Sequence, residues 1–158
     1  MIKDSGTRRE FNTGAVRDIQ EGKGRCDLLP LDVLAEICPG GAILHPIHNF
    51  TESGDVFWLY EVLATTAPSL FGNYSTMFLE VSKHFEEGAL KYGERNVDKG
   101  IPQHSMIDSA IRHLVKYIHN ETDESHLRAA AWNVLWALEQ ETTHPEMIDL
   151  PGRTNTEG

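Results

Sequence analysis

Between Phe78 and Asn96 the sequence reads FLEVSKHFEEGALKYGERN. On a helix, Glu80, His84, Glu87 and Lys91 recur at steps of four, three and four and share one side, with Glu86 turned about 100° from Glu87. Ionised carboxylates cost several kcal/mol each to hold in a dry interior unless a cation or hydrogen-bond donors compensate them, so such a stripe either faces water or grips a metal. An adjacent Glu-Glu pair can present one carboxylate to each of two divalent ions, the way a helical bundle builds a magnesium site without a dedicated loop. A solvated helix face has the same spacing, and the pattern alone does not choose between them.

A second polar segment, Glu121 to Asn133 (ETDESHLRAAAWN), follows about thirty residues later. Asp123 has an ordinary reading as a helix N-cap, and Glu124 as a partner of the helix dipole. Asn133 stands between Trp132 and Val134 in the most apolar part of that segment, so it faces inward and needs hydrogen-bond partners there. His126 lies seven residues before it, on the same face. Between these segments, Asp108, Arg112, His113 and Lys116 bring positive charge: Asp108 and Arg112 have the spacing of a helical ion pair, and His113 and Lys116 are one turn apart and can reach phosphate oxygens. Near the start, Arg17, Asp18, Lys23, Gly24 and Arg25 form a glycine-flanked basic run able to fold around an anion, although the frame of a phosphate-binding P-loop is absent.

These groups need a scaffold, and the periodicity supplies a helical one. Ser105 to His119 places Ile107, Ile111, Leu114, Val115 and Ile118 at a 3.6-residue period. A helix capped by Thr122 or Asp123 and running to Glu141 has Leu127, Ala130, Ala131, Val134, Leu135 and Leu138 inward, and Thr76 to Tyr92 makes a long helix stopped near Gly93. Shorter helices are expected over Leu28 to Ile37 and Asp55 to Thr65, the latter with Val56, Leu59, Tyr60 and Leu63 inward. No alternating strand of useful length is visible. The expectation is an all-α, single-domain bundle of four to five helices: residues 1–27 form an extended N-terminal arm covering the site, residues 28–144 the bundle with 42–75 as an insertion, and residues 145–158 a loose tail.

Twenty-four acidic against 14 basic residues give a formal charge of −10, which argues against wrapping duplex nucleic acid. Cys26 and Cys38 match no zinc spacing and read as free thiols of a reducing cytoplasm. No run of 18 apolar residues and no secretory signal occurs, so no membrane partner is expected. The absence of a His-Asp dipeptide, of G-x-S-x-G and of H-E-x-x-H removes three common hydrolase frames. The apolar insertion (Phe57, Trp58, Leu59, Tyr60, Leu70, Phe71) leaves surface to spare for a homo-oligomer.

Taken in order, DSGTRREFNTGAVRDIQEGKGRCDLLP, HFEEGALKYGERN with KGIP, DSAIRHLVKYI and TDESHLRAAAWN resemble the phage dATP/dGTP diphosphohydrolase family, itself similar to the MazG-like all-α nucleotide pyrophosphohydrolases. The resemblance covers Asp4 to Leu34 and Leu79 to Leu138. It implies a magnesium enzyme of phage nucleotide metabolism, with Mn²⁺ as a substitute, cleaving dGTP or dATP to the monophosphate and pyrophosphate. By resemblance the metal-helix E-E falls on Glu86 and Glu87 and the D-E-x-H…W-N motif on Asp123, Glu124, His126, Trp132 and Asn133; the arrangement of acidic helices leads us to expect Asp123 as a further metal ligand and His126 joining Glu86 and Glu87 in catalysis. Lys23, Arg25, Lys91, Tyr92, Asn96, Arg112, His113, Lys116 and Asn133 are the expected substrate contacts. The broader pattern E-E-x-x-E with a later E-x-x-D is incomplete, because Leu90 stands at the third glutamate and Ala130 and Asn133 at the later pair. That departure leaves a non-catalytic nucleotide-binding or host-interaction helical protein as the alternative.

Overall fold

The computed structural model describes residues 4–29, 44–68 and 74–150, and over these the chain is an α-helical assembly carrying one small hairpin. The hairpin pairs β1 (Arg8–Glu10) antiparallel with β2 (Val16–Asp18), with Arg8 opposite Asp18 and Glu10 opposite Val16. Gly14, at φ +79, makes the turn, its N–H donating to Phe11 O at 2.8 Å. The extended arm expected from sequence therefore folds back on itself; three-residue strands are too short to display an alternating pattern.

The helices are α1 (Leu44–Ser53), α2 (Phe57–Thr66), α3 (Tyr74–Tyr92), α4 (Gln103–Ile118) and α5 (His126–Thr143). Helices α2 to α5 follow the expected periodicity with three differences, and α1 lies in a stretch where no helix was expected. The helix α5 begins at His126, behind Ser125, rather than behind Thr122 or Asp123, because the Asp123 carboxylate pairs with the His126 ring instead of capping backbone. Val115 and Ile118 are 51% and 54% exposed, since the last turn of α4 runs past the level at which α5 begins. The first residues of the expected tail are packed: Pro145–Met147 form a 3-10 turn and Leu150 is buried. The helix expected over Leu28 to Ile37 falls outside the described residues, apart from a 3-10 turn at Cys26–Leu28. Cys26 is half-buried and its N–H donates to Asp108 Oδ1, and Cys38 lies outside the described residues.

Antiparallel α4 and α5 make the principal helix pair, joined by Met106, Ile107, Ala110 and Ile111 on one side and Ala130, Ala131, Val134 and Ala137 on the other. Small residues on α5 let the two backbones come close, leaving larger side chains of α2 (Val56, Leu59, Val62, Leu63) and α3 (Met77, Val81) to fill the periphery. Asn96 fastens the hairpin to this core: its side-chain amide accepts from Val16 N and donates to Val16 O, both at 2.9 Å. Among the described residues no helix is long and apolar enough to cross a membrane.

Candidate functional site

The hairpin roofs a cavity of about 980 Å³ whose other walls are the C-terminal half of α3, the turn from Gly93 to Ile101, α4 and the start of α5. That volume is at the upper end of the roughly 300–1,000 Å³ usual for small-molecule sites. Seven of the chain's 14 Lys and Arg residues line it, against six of its 24 carboxylates. A strongly acidic protein has thus gathered its cations in one concave place, which favours an anionic ligand.

Arg17, carried into the cavity by β2, is one of these cations. Its Nη2 donates to Ser109 Oγ (2.9 Å) and Asn133 Oδ1 (3.0 Å), while Nη1 is buried without a partner among the described residues. Burial, with Arg9 and Arg112 nearby, draws its pKa down to about 10, which leaves it charged at neutral pH. Asn133 faces inward as its sequence position requires and donates to Ala129 O at 2.8 Å, so it holds Arg17 in place. Asp108 and Arg112 do form the expected ion pair, but in a buried setting: Asp108 also accepts from Cys26 N at 2.6 Å and Gln20 Nε2 at 3.3 Å. Lys91 lies 3.8 Å from both Asp4 and Asp18, and Lys23 pairs with Asp18 at 2.7 Å. Lys116 sits 3.4 Å from Glu121.

One wall is aromatic. Phe85 and Trp132 meet edge to face with centroids 5.6 Å apart, His84 packs on Trp132 at 5.4 Å, and Tyr92 lines the cavity beneath Arg8. Burial first, then Arg128, lowers the His84 pKa to about 4.

At the start of α5 the character changes from donors to acceptors. His113 Nδ1 and His126 Nδ1 are 3.1 Å apart, Glu124 Oε1 is 3.5 Å from the first and 3.6 Å from the second, and His126 Nε2 meets Asp123 Oδ1 at 2.6 Å. Burial, with His126 next to it, pulls the His113 pKa to about 3, so that imidazole is neutral at physiological pH.

The expected site residues divide accordingly. Lys23, Lys91, Tyr92, Asn96, Arg112, His113, Lys116 and Asn133 line the cavity; Arg25 is exposed outside it. Asn96 spends its side chain on Val16 and so positions the hairpin. Glu86 is exposed, and Glu87 takes Arg128 Nη2 at 3.0 Å; neither lines the cavity. Among the described residues the side chains close enough to share an ion are His113 with Glu124 and His126, and Glu121 with Asp123 and His126. Glu86, Glu87 and Asp123 do not fall together in either of these groups, and Glu87 pairs with Arg128 of α5. Residues that the sequence reading left out of its site set, Arg17, His84, Asp108, Glu124 and Trp132, all line the cavity. Each carried some signal in the sequence: His84 in the acidic stripe, Asp108 beside Arg112, Arg17 in the basic run, and Glu124 and Trp132 in the motif around His126 and Asn133.

Residues 66–150, more than half of the chain, match the profile of the family described as dATP/dGTP diphosphohydrolase, N-terminal. The match takes in the whole of α3, α4 and α5 and begins within the stretch expected to be an insertion; the hairpin lies outside it. No curated protein and no solved structure matches the chain.

Proposed function

The chain belongs to the dATP/dGTP diphosphohydrolase family, and from that premise we propose that it cleaves dGTP or dATP between the α and β phosphates, giving the monophosphate and pyrophosphate. The observation that carries this reading is Arg17: a guanidinium in the cavity wall whose Nη1 is buried without a partner among the described residues, where half of the chain's Lys and Arg gather. A desolvated cation left partly unpaired calls for an anion, and a phosphate matches its planar fork.

Arg17, Arg112, Lys91 and Lys116 would hold the phosphate chain, each charge-assisted contact contributing about 1.5–3 kcal/mol. The purine would stack in the aromatic wall of Phe85, Tyr92 and Trp132. In the reaction a water oxygen bonds to the α-phosphorus as the bond from that phosphorus to the bridging oxygen breaks; the bridging oxygen leaves with pyrophosphate, and the water loses a proton. The acceptor-rich side made by His113, Glu124 and His126 is where that proton can go. Mg²⁺, or Mn²⁺ in its place, enters the proposal as the counter-ion that the triphosphate itself carries, supplying charge neutralisation without an all-protein cage.

We place the reaction in the cytoplasm, the host's where the chain is phage-encoded, and we propose a homo-oligomer. Phe78, Leu79 and Leu90 of α3 are 59%, 67% and 85% exposed and are the apolar surface for it, rather than Leu59, which is buried. The test is a product assay: protein, Mg²⁺ and dGTP or dATP are expected to release monophosphate and pyrophosphate in equal amounts. Orthophosphate or tripolyphosphate as the first product overturns the assigned bond, and nucleotide binding without turnover points to the non-catalytic alternative.

A further inference from the structure

We propose that His113, Glu124 and His126 form a mononuclear site for a borderline divalent metal of the zinc class, with the open coordination position facing the cavity. The three atoms that face one another, His113 Nδ1, His126 Nδ1 and Glu124 Oε1, are separated by 3.1, 3.5 and 3.6 Å. Ligands about 2.0–2.1 Å from a tetrahedral zinc ion lie roughly 3.3–3.4 Å from one another, so the triangle has the size of one face of such a tetrahedron. Two imidazoles and one carboxylate favour zinc and its neighbours in the first transition row over magnesium, which prefers an all-oxygen shell.

Asp123 provides the independent observation. At 2.6 Å from His126 Nε2 its oxygen is too close to share an ion with that nitrogen, and at the right distance to accept its proton. An Nε2–H donated to Asp123 leaves the Nδ1 lone pair turned into the triangle, the carboxylate–histidine–metal relay found behind many histidine ligands. A single hydrogen bond between the two imidazoles would explain the 3.1 Å edge. It does not explain a carboxylate oxygen nearly equidistant from both nitrogens, or Asp123 fixing the remaining one. The His126 side chain is 1% exposed, while His113 and Glu124 reach the cavity, which gives an ion both a dry seat and a way in. The open position would meet a phosphate oxygen or water, and that last step alone rests on the nucleotide reading above.

The test is a Co²⁺ titration of the whole chain after chelator treatment, without nucleotide, read by visible ligand-field absorption. One equivalent is expected to give the strong band of a four- or five-coordinate ion, displaced by Zn²⁺. His113→Gln and Glu124→Gln should each weaken binding at least tenfold at unchanged helical circular dichroism, and His119→Ala, on an exposed residue, should change nothing. Asp123→Asn, at a positioning residue, should weaken binding about 10- to 100-fold without altering the melting temperature of the metal-free protein. Because the buried His126 could be needed for folding, zinc-loaded wild type examined by X-ray absorption gives a second reading, with two imidazoles expected in the shell. A band that never leaves the weak octahedral form, a shell without imidazole, or binding lost in Glu86→Gln but kept in His113→Gln overturns the inference. Metal held tightly without nucleotide turnover leaves it standing and removes the reading above; pyrophosphate release from a chain with no histidine-dependent metal does the reverse.

Discussion

The two ends of the α4–α5 pair match their buried polar groups differently, although at the end where α4 begins Gln103 Oε1 is left without a partner among the described residues. Where the N-terminus of α4 meets the C-terminal half of α5, Gln140 accepts from Ile101 N and donates to Ile101 O, both at 2.7 Å, as a neighbouring strand would. Asp149 caps the same end by accepting from His104 N at 2.8 Å. On the cavity side Arg17 keeps an Nη1 without a partner among the described residues, and His113, Glu124 and His126 bring a ring nitrogen, a carboxylate oxygen and a ring nitrogen within reach of one another. Buried polar groups cost free energy unless matched. A side chain matched within the chain holds the architecture, whereas an unmatched cation that also faces the cavity is where an anionic ligand can complete it.

The sharpest way to break that comparison is to exchange the consequences. Gln140→Leu removes both partners of a buried backbone N–H and C=O, and at roughly 1–3 kcal/mol for each orphaned group it should lower stability by about 2–5 kcal/mol in chemical denaturation. Nucleotide affinity of the folded fraction should not change. Arg17→Met should do the opposite: about 10- to 100-fold weaker triphosphate binding by calorimetry, from losing about 1.5–3 kcal/mol of charged contacts, with stability unchanged or raised because a desolvated cation is gone. If Arg17→Met unfolds the protein while Gln140→Leu weakens nucleotide binding, the division between the two ends is wrong.

How much of this was legible in the sequence follows from the range of the interactions. Helices α3, α4 and α5 were readable because their apolar spacing is local, and Asn133 because an amide inside an apolar run must face partners. The hairpin was not, since its three-residue strands are set by Gly14 and by Asn96, eighty residues from Val16. The acidic pair Glu86–Glu87 had the spacing of a metal helix, yet one-dimensional spacing does not reveal that Arg128 reaches Glu87 from another helix. Conversely Glu124 looked like a dipole partner, and only the packing of α4 against α5 brings His113, thirteen residues before His126, to within 3.1 Å of it.

A smaller effect sharpens the role of the roof. Asn96→Ala should cost about 1–2 kcal/mol, because water can partly replace the two Val16 contacts at this edge. It should also speed proteolysis of the 4–25 segment and weaken triphosphate binding less than Arg17→Met does, since Arg17 rides on the same strand as Val16. Proteolysis rates identical to wild type would mean that the hairpin is held by its other contacts, such as Thr13 Oγ1 to Gly100 O at 2.6 Å.

The smallest effect belongs to His144, at the closed end. Its Nδ1 lies 3.0 Å from Glu146 Oε1 and its Nε2 2.7 Å from Asp98 O, so both ring nitrogens face acceptors and the doubly protonated ring is favoured. Glu146 first, then the Asp98 carbonyl, raises its pKa above the ordinary histidine value. With the folded value above the unfolded one, the stabilisation is complete below pH about 6.5 and is lost as pH rises through the raised folded value. The melting temperature should accordingly fall slightly from pH 6 to 8, by little because the site is near solvent, and His144→Gln should flatten that part of the curve. Nucleotide affinity should show no matching change in the variant, because His144 itself is not among the cavity-lining residues and contacts the backbone of Asp98 rather than its side chain; a loss of affinity as large as that of Asn96→Ala would join the two ends into one functional unit.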